Sequence, residues 1–99
     1  MATLYLPNNT SKEIHPANGK VFTLKELQDI VGGFIELLDL PYKRVLIINE
    51  DGKRLQLGYN QVGTFHGIIA GIDPNDCIVG PALLCSYSEA GMNSNSEET

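Results

Sequence analysis

The sequence F-T-L-K-E-L-Q-D-I-V-G-G-F-I-E, residues 22–36, contains a helix start, a helix stop and the beginning of a strand. Thr23 is placed to cap a helix, and Glu26 lies three residues later, which is the spacing of a capping box. Phe22 and Leu27 have the spacing of a hydrophobic staple across that cap. The pattern therefore predicts a helix of about two turns that begins after Thr23.

The same segment predicts the buried side of this helix and its end. Four apolar residues recur at helical spacing and form one face: Leu24, Leu27, Ile30 and Val31. Gly32 can adopt the left-handed conformation that ends many helices. After Gly33, the sequence F-I-E-L-L-D-L, residues 34–40, predicts a strand.

The remaining segments predict the order of elements in the fold. Strands are expected at residues 2–7, 12–15, 44–49, 54–57 and 77–85, the last interrupted at Gly80 and Pro81, and a second helix at residues 60–70. The order ββαβββαβ has no alternating βαβ series. It predicts a small single α+β domain with a mostly antiparallel sheet and two short helices.

The second helix is open to two interpretations. Val62, Phe65 and Ile69 have helical spacing, and Asn60 can cap a helix there. Three glycines recur every four residues, at Gly63, Gly67 and Gly71. They weaken a helix but clear one face of it for close backbone approach, and the alternative is a looser segment rich in turns.

Length and charge limit what the domain can do. Residues 86–99 are polar and poor in large apolar side chains, so a domain at residues 1–85 and a disordered, acidic C-terminal tail are expected. The formal charge is −5, and −2 remains without Glu89, Glu97 and Glu98 of the tail. A near-neutral domain with scattered Lys and Arg is a poor nucleic-acid binder. So short a chain has little room for a deep private cavity, and large pockets would form between subunits.

The location of the protein is predicted from missing signals in the sequence. The first residues, M-A-T-L-Y-L-P, lack the basic and apolar regions of a signal peptide, and no apolar run has membrane-spanning length. A cytoplasmic protein without membrane contact is expected. Cys77 and Cys85 are then expected to be reduced, buried, small hydrophobes.

The sequence contains no recognisable constellation for catalysis, metal binding or cofactor binding. His15, His66, Cys77 and Cys85 lack metal-ligand spacing, and no nucleophile or dinucleotide signature is present. We therefore predict no catalytic residues, no metal, no cofactor and no enzymatic activity. His66 and Glu36 could converge in space, although a histidine beside apolar residues is more often structural.

Glu36 is the residue of the opening segment that local folding does not explain. It alternates with apolar residues in the predicted strand. Its carboxylate could pair with Lys43 or Arg44, or accept hydrogen bonds from a ligand. It could also be an edge-strand charge in solvent.

Four short motifs together resemble a family of small domains of unknown function from phages, plasmids and bacteria. They are V-G-G-F-I-E (31–36), N-E-D-G-K (49–53), the Asn-x-x-x-Thr step at residues 60 and 64, and D-C-I-V-G (76–80). The chain departs from the family pattern at Gly58-Tyr59, where Leu-Pro is usual, and at Gly63, where Ala is usual. The resemblance implies a phage or mobile-element protein that acts in the host cytoplasm.

These features predict a non-catalytic binding module. It would act as an oligomeric sponge, which sequesters a small anionic or nucleotide ligand. By analogy with other small phage proteins, the ligand would be a nucleotide immune signal. The predicted ligand-binding residues are Gln28, Glu36, Lys53, Arg54, Tyr59, Asn60 and Thr64. The alternatives are an inhibitor or adaptor that binds a host protein through a sheet edge or the acidic tail, and a small hydrolase of a nucleotide signal.

Overall fold

The computed structural model describes residues 2–92, which form one sheet and two helices. The elements are β1 (Ala2–Tyr5), β2 (Ser11–Ile14), α1 (Leu24–Val31), β3 (Ile35–Leu40), β4 (Arg44–Asn49), α2 (Gln61–Ile69) and β5 (Ala82–Ser86). Every strand pair is antiparallel, and the strand order is β2-β1-β5-β4-β3. The predicted α+β class, with a mostly antiparallel sheet and two short helices, is confirmed.

The helices lie on opposite faces of the sheet. Along β4, Val45 belongs to the α1-side core, the apolar cluster that also contains Leu27 and Val31 of α1. Leu46 belongs to a second cluster, with Ile78, on the face that α2 contacts. Because successive side chains of a strand point to opposite faces, the continuous apolar run of β4 supplies both cores.

Helix α1 begins as its sequence predicts. The Thr23 hydroxyl accepts a hydrogen bond from the backbone N–H of Glu26 at 3.1 Å, and the Thr23 N–H donates to the Glu26 carboxylate at 2.8 Å. Hydrogen bonds from the backbone of Thr23 and then of Ala17 hold the pKa of Glu26 below its usual value. Gly32 ends the helix at φ 85°. Phe22 and Leu27 are buried, but Leu24 is 60% exposed, so the predicted buried face is correct only from Leu27 onward.

The strand predicted at residues 54–57 is absent, and residues 51–56 form turns instead. The N–H of Leu55 donates to the carbonyl oxygen of Asp51, and the N–H of Leu57 donates to that of Gly52. Strand β4 already has β5 on one side and β3 on the other, so a hairpin partner after β4 has no free edge to pair with. Residues 77–79 likewise contribute only one bridge, Val79 to Tyr59, and not a strand.

The described chain continues to Met92, seven residues past the predicted domain boundary at residue 85. Residues 87, 90 and 92 pack against the α1-side core. The N–H of Tyr87 donates to the carbonyl oxygen of Lys43, and the N–H of Phe22 donates to that of Glu89. Residues 86–99 are polar on average, but Tyr87 and Met92 are apolar side chains that contact the core. The part of the predicted tail after Met92 lies outside the described residues.

Candidate ligand-binding site

The Asn49 side chain links the turn that follows β4 to the end of α1 through hydrogen bonds. This side chain is 4% exposed, donates from Nδ2 to the carbonyl oxygen of Val31 at 3.1 Å and accepts from the N–H of Asp51 at 2.8 Å. Gly52 sits where an added Cβ would lie 2.9 Å from Cγ2 of Val79. The turn therefore has a set position between the sheet and the segment that precedes β5. Asn49 is not among the predicted site residues, although a polar residue that ends an apolar strand is a usable signal.

The turn forms one wall of a cleft of about 210 Å³. Strands β3 and β4 contribute Glu36, Leu38 and Ile48 to it, and residues 72–79 close the opposite side. Apolar side chains and charged groups both line the space. Such a mixture is the usual composition of a small-molecule site, although this cleft is smaller than a typical one.

The charges in this first cleft are largely paired with one another. Lys53 forms an ion pair with Asp76, and Arg54 forms one with Asp51 at 3.2 Å. Among residues 2–92, neither of the other two carboxylates of the cleft, those of residues 36 and 50, has an ion-pair partner. The cleft therefore has an excess of negative charge and two acceptor groups that are open to a ligand.

A second, shallower cleft of about 600 Å³ lies beside the same turn. Gln28 and Phe34 line it, and it shares Asn49, Asp51 and Arg54 with the first cleft. The turn thus separates two neighbouring spaces, and the Arg54 side chain borders both.

The structure brings some of the predicted site residues together and separates others. Glu36, Lys53 and Arg54 line the first cleft, and Gln28 joins Arg54 at the second. The other three, Tyr59, Asn60 and Thr64, line neither of these clefts.

Asn60 and Thr64 have structural contacts inside the protein. Asn60 is fully buried, caps α2 through the N–H of Gly63 at 2.9 Å and donates to two backbone carbonyl oxygens. The Thr64 hydroxyl accepts from the N–H of Ile78 at 2.8 Å and donates to the carbonyl oxygen of Ile78 at 3.3 Å. Tyr59 is 55% exposed. In this conformation, a ligand can reach Tyr59 but neither of the two buried side chains.

Glu36 and His66 are both on the α2 side of the sheet, but they have different surroundings. Glu36 is exposed on the edge strand β3, and no ion pair joins it to Lys43 or Arg44 among residues 2–92. The His66 ring lies against that of Tyr5, with 5.5 Å between centroids. Burial first, and then the Arg44 charge, lower the pKa of His66. Within the described chain no hydrogen bond or ion pair links Glu36 to His66.

The two cysteines also differ. Cys85 is buried in the α1-side core, where burial and then the Glu89 charge raise its pKa to about 12. Cys77 is half-buried and lines the first cleft. No group of three or more His, Cys, Asp or Glu side chains within residues 2–92 is arranged to hold a metal ion.

Comparison with known proteins places the chain in a family without an assigned activity. The fold and the clefts define a small α+β domain with a candidate binding site. The model of the family described as a domain of unknown function, DUF3846, matches residues 3–99, so the chain belongs to that family. Searches of curated proteins and of solved structures found no match. Neither helix in the described chain is long and apolar enough to cross a membrane.

Proposed function

We propose that this protein is a non-catalytic binding module that holds a small ligand in the first cleft. The observation that carries the proposal is the convergence of Glu36, from β3, with Lys53 and Arg54, from the turn, around one space with apolar walls. These side chains can supply hydrogen-bond acceptors, charged donors and apolar contact to one molecule.

A nucleotide is the proposed ligand. The open carboxylates of Glu36 and Glu50 would accept hydrogen bonds from the amino and imino groups of a base. Lys53 and Arg54 would contact a phosphate. Because both cations are already paired with carboxylates, a phosphate must compete with Asp51 and Asp76 for them. The excess negative charge disfavours a polyphosphate and favours a ligand with few charges and several base donors.

The proposed role is that of a phage or mobile-element accessory protein. As a homo-oligomer in the host cytoplasm, it would sequester a nucleotide immune signal without converting it. The support is the motif resemblance at residues 31–36, 49–53 and 76–80 together with the small cleft. Sequestration needs only tight binding and a high protein concentration, and it places no demand on catalytic groups.

Titration calorimetry with a panel of cyclic dinucleotides and ADP-ribose derivatives tests this proposal. We expect Glu36→Gln and Lys53→Met each to weaken binding about 10- to 100-fold, because each removes a charged hydrogen-bonding group. Lys25→Met is the matched control, since Lys25 also forms a surface ion pair, with Asp29, but lies outside both clefts. Heating the complex should release intact ligand. If no ligand of the panel binds, or if the ligand emerges hydrolysed, sequestration of these signals is refuted.

An inhibitor or adaptor that binds a host protein is the second candidate. Within residues 2–92, strand β3 has no neighbour on its outer edge, and Leu37 on it is 43% exposed, so a partner strand has a place to pair. Capture of a partner through the acidic tail would be lost when the tail is deleted. The deletion must begin after Met92, because Tyr87 and Met92 pack against the core. Small-molecule binding should survive this deletion.

A further inference from the structure

Helix α2 is built with small residues inside and large apolar residues outside. Gly63 and Gly67 are buried against the rest of the domain. Phe65, Ile68 and Ile69 lie at i, i+3 and i+4, so they share one face of the helix. They are 62%, 42% and 46% exposed, respectively. A helix that is apolar on its outer face as well as its inner face is expected where the outer face is covered.

The charges of the surrounding sequence limit which kinds of partner could bind the outer face of α2. Residues 55–72 contain no Asp, Glu, Lys or Arg. A partner chosen by charge would find no charged side chain on the helix itself to pair with, and the neighbouring charge that acts on His66 of the helix is that of Arg44. Membrane-bound amphipathic helices carry Lys or Arg beside their apolar face, and residues 55–72 contain neither.

A second copy of the chain suits such a surface. A two-fold axis brings a patch against itself, so that each side chain lies near its own copy. Charged side chains in the centre of such a patch would repel their copies, whereas an uncharged apolar face meets itself without that cost. We propose that the outer face of α2, formed by Phe65, Ile68 and Ile69, is a homodimer interface in which α2 of one copy packs against α2 of the other.

The exposed area predicts the strength of this dimer. The three side chains, each about half exposed, offer on the order of 300 Å² per copy. Stable interfaces bury about 800 Å² per partner, so flanking residues must contribute the remainder. We therefore expect association at micromolar or higher concentration. This dimer would supply the interface of the homo-oligomer proposed above. The inference rests on the proposed oligomeric state and does not depend on ligand binding.

Sedimentation velocity of the full chain without ligand tests the interface, over about 5–500 µM. We expect the wild-type protein to shift from monomer to dimer in this range and Phe65→Glu to raise the dissociation constant about 100-fold or more. Phe34→Glu is the matched control, because Phe34 is 65% exposed but lines the second cleft beside Gln28 of α1, and α1 and α2 lie on opposite faces of the sheet. It should dimerise like the wild type.

Three outcomes would overturn the inference. They are a wild-type monomer throughout the range, an assembly larger than a dimer, and a dimer that Phe34→Glu abolishes but Phe65→Glu preserves. Ile69→Glu provides a second interface variant, and circular dichroism verifies that each variant is folded. Ligand binding measured on monomeric Phe65→Glu separates the two proposals, since binding that persists there supports the cleft even if the dimer is refuted.

Discussion

Replacing Asn60 with alanine would remove a buried side chain that joins α2 to two other segments. Its Oδ1 accepts from the N–H of Gly63 at 2.9 Å. Its Nδ2 donates to the carbonyl oxygens of Tyr5 at 2.9 Å and Gly80 at 2.8 Å. The side chain therefore connects the start of α2 with the end of β1 and with the segment that leads into β5.

The expected loss of stability can be estimated from these contacts. Loss of the N-cap costs about 1 kcal/mol. Each buried carbonyl group that loses its donor costs about 1–3 kcal/mol. The sum predicts that Asn60→Ala lowers the free energy of unfolding by about 3–7 kcal/mol, a large share of the ~5–15 kcal/mol available to a domain of this size.

Asn60→Asp separates the donor and acceptor roles of this side chain. The introduced carboxylate keeps the cap acceptor but places a second negative oxygen against two carbonyl oxygens. We expect a loss at pH 7 at least as large as that of the alanine variant. Because a protonated carboxyl group can donate again, the pKa of the introduced group should be raised in the folded state. Part of the lost stability should therefore return at low pH and disappear as the pH rises through that pKa.

Urea denaturation followed by circular dichroism measures both variants. Asn75→Asp is the control, since Asn75 is exposed on a turn, and its effect should stay within about 0.5 kcal/mol. If Asn60→Ala and Asn60→Asp both remain within about 1 kcal/mol of the wild type, the structural role argued from its hydrogen bonds is refuted. Asn60 would then be free to serve as the ligand-binding residue that its sequence context predicts.

Gly63→Ala should destabilise the fold by roughly 1–3 kcal/mol in the same urea assay, because an added Cβ would lie 2.9 Å from Cγ of Asn60 and 3.2 Å from Cβ of Ala82. This cost outweighs the gain of up to about 1 kcal/mol in helix propensity, and a more stable variant would contradict the close packing of α2. The lowered pKa of His66, caused by burial and then by the Arg44 charge, means that the folded protein favours the neutral ring. Its contribution to stability should be complete above the ordinary pKa of 6.5 and be lost as the pH falls through the lower pKa of the folded state. Urea midpoints of the wild type should therefore fall between pH 8 and pH 5 more than those of His66→Gln, and parallel curves would refute this.

Local interactions made some of the candidate site predictable. Glu36, Lys53 and Arg54 were predicted as binding residues and do line one cleft, because a strand and the turn after its hairpin partner lie side by side. Asn60 and Thr64 were chosen from the same kind of polar pattern, but they are buried. In the sequence, a polar side chain is equally able to form hydrogen bonds with a ligand or with a backbone group. Only the fold shows which of these two partners lies next to it.

The sequence by itself determined α1, its capping box and its left-handed end at Gly32, because these depend on atoms within a few residues of one another. It also determined β4, whose continuous apolar run suits burial on both faces. Only the tertiary structure decided that residues 54–57 are not a strand, because that depends on β5 occupying the free side of β4. It likewise decided that the glycines of α2 face inward and Phe65 faces outward, because this choice depends on how closely the helix approaches the sheet.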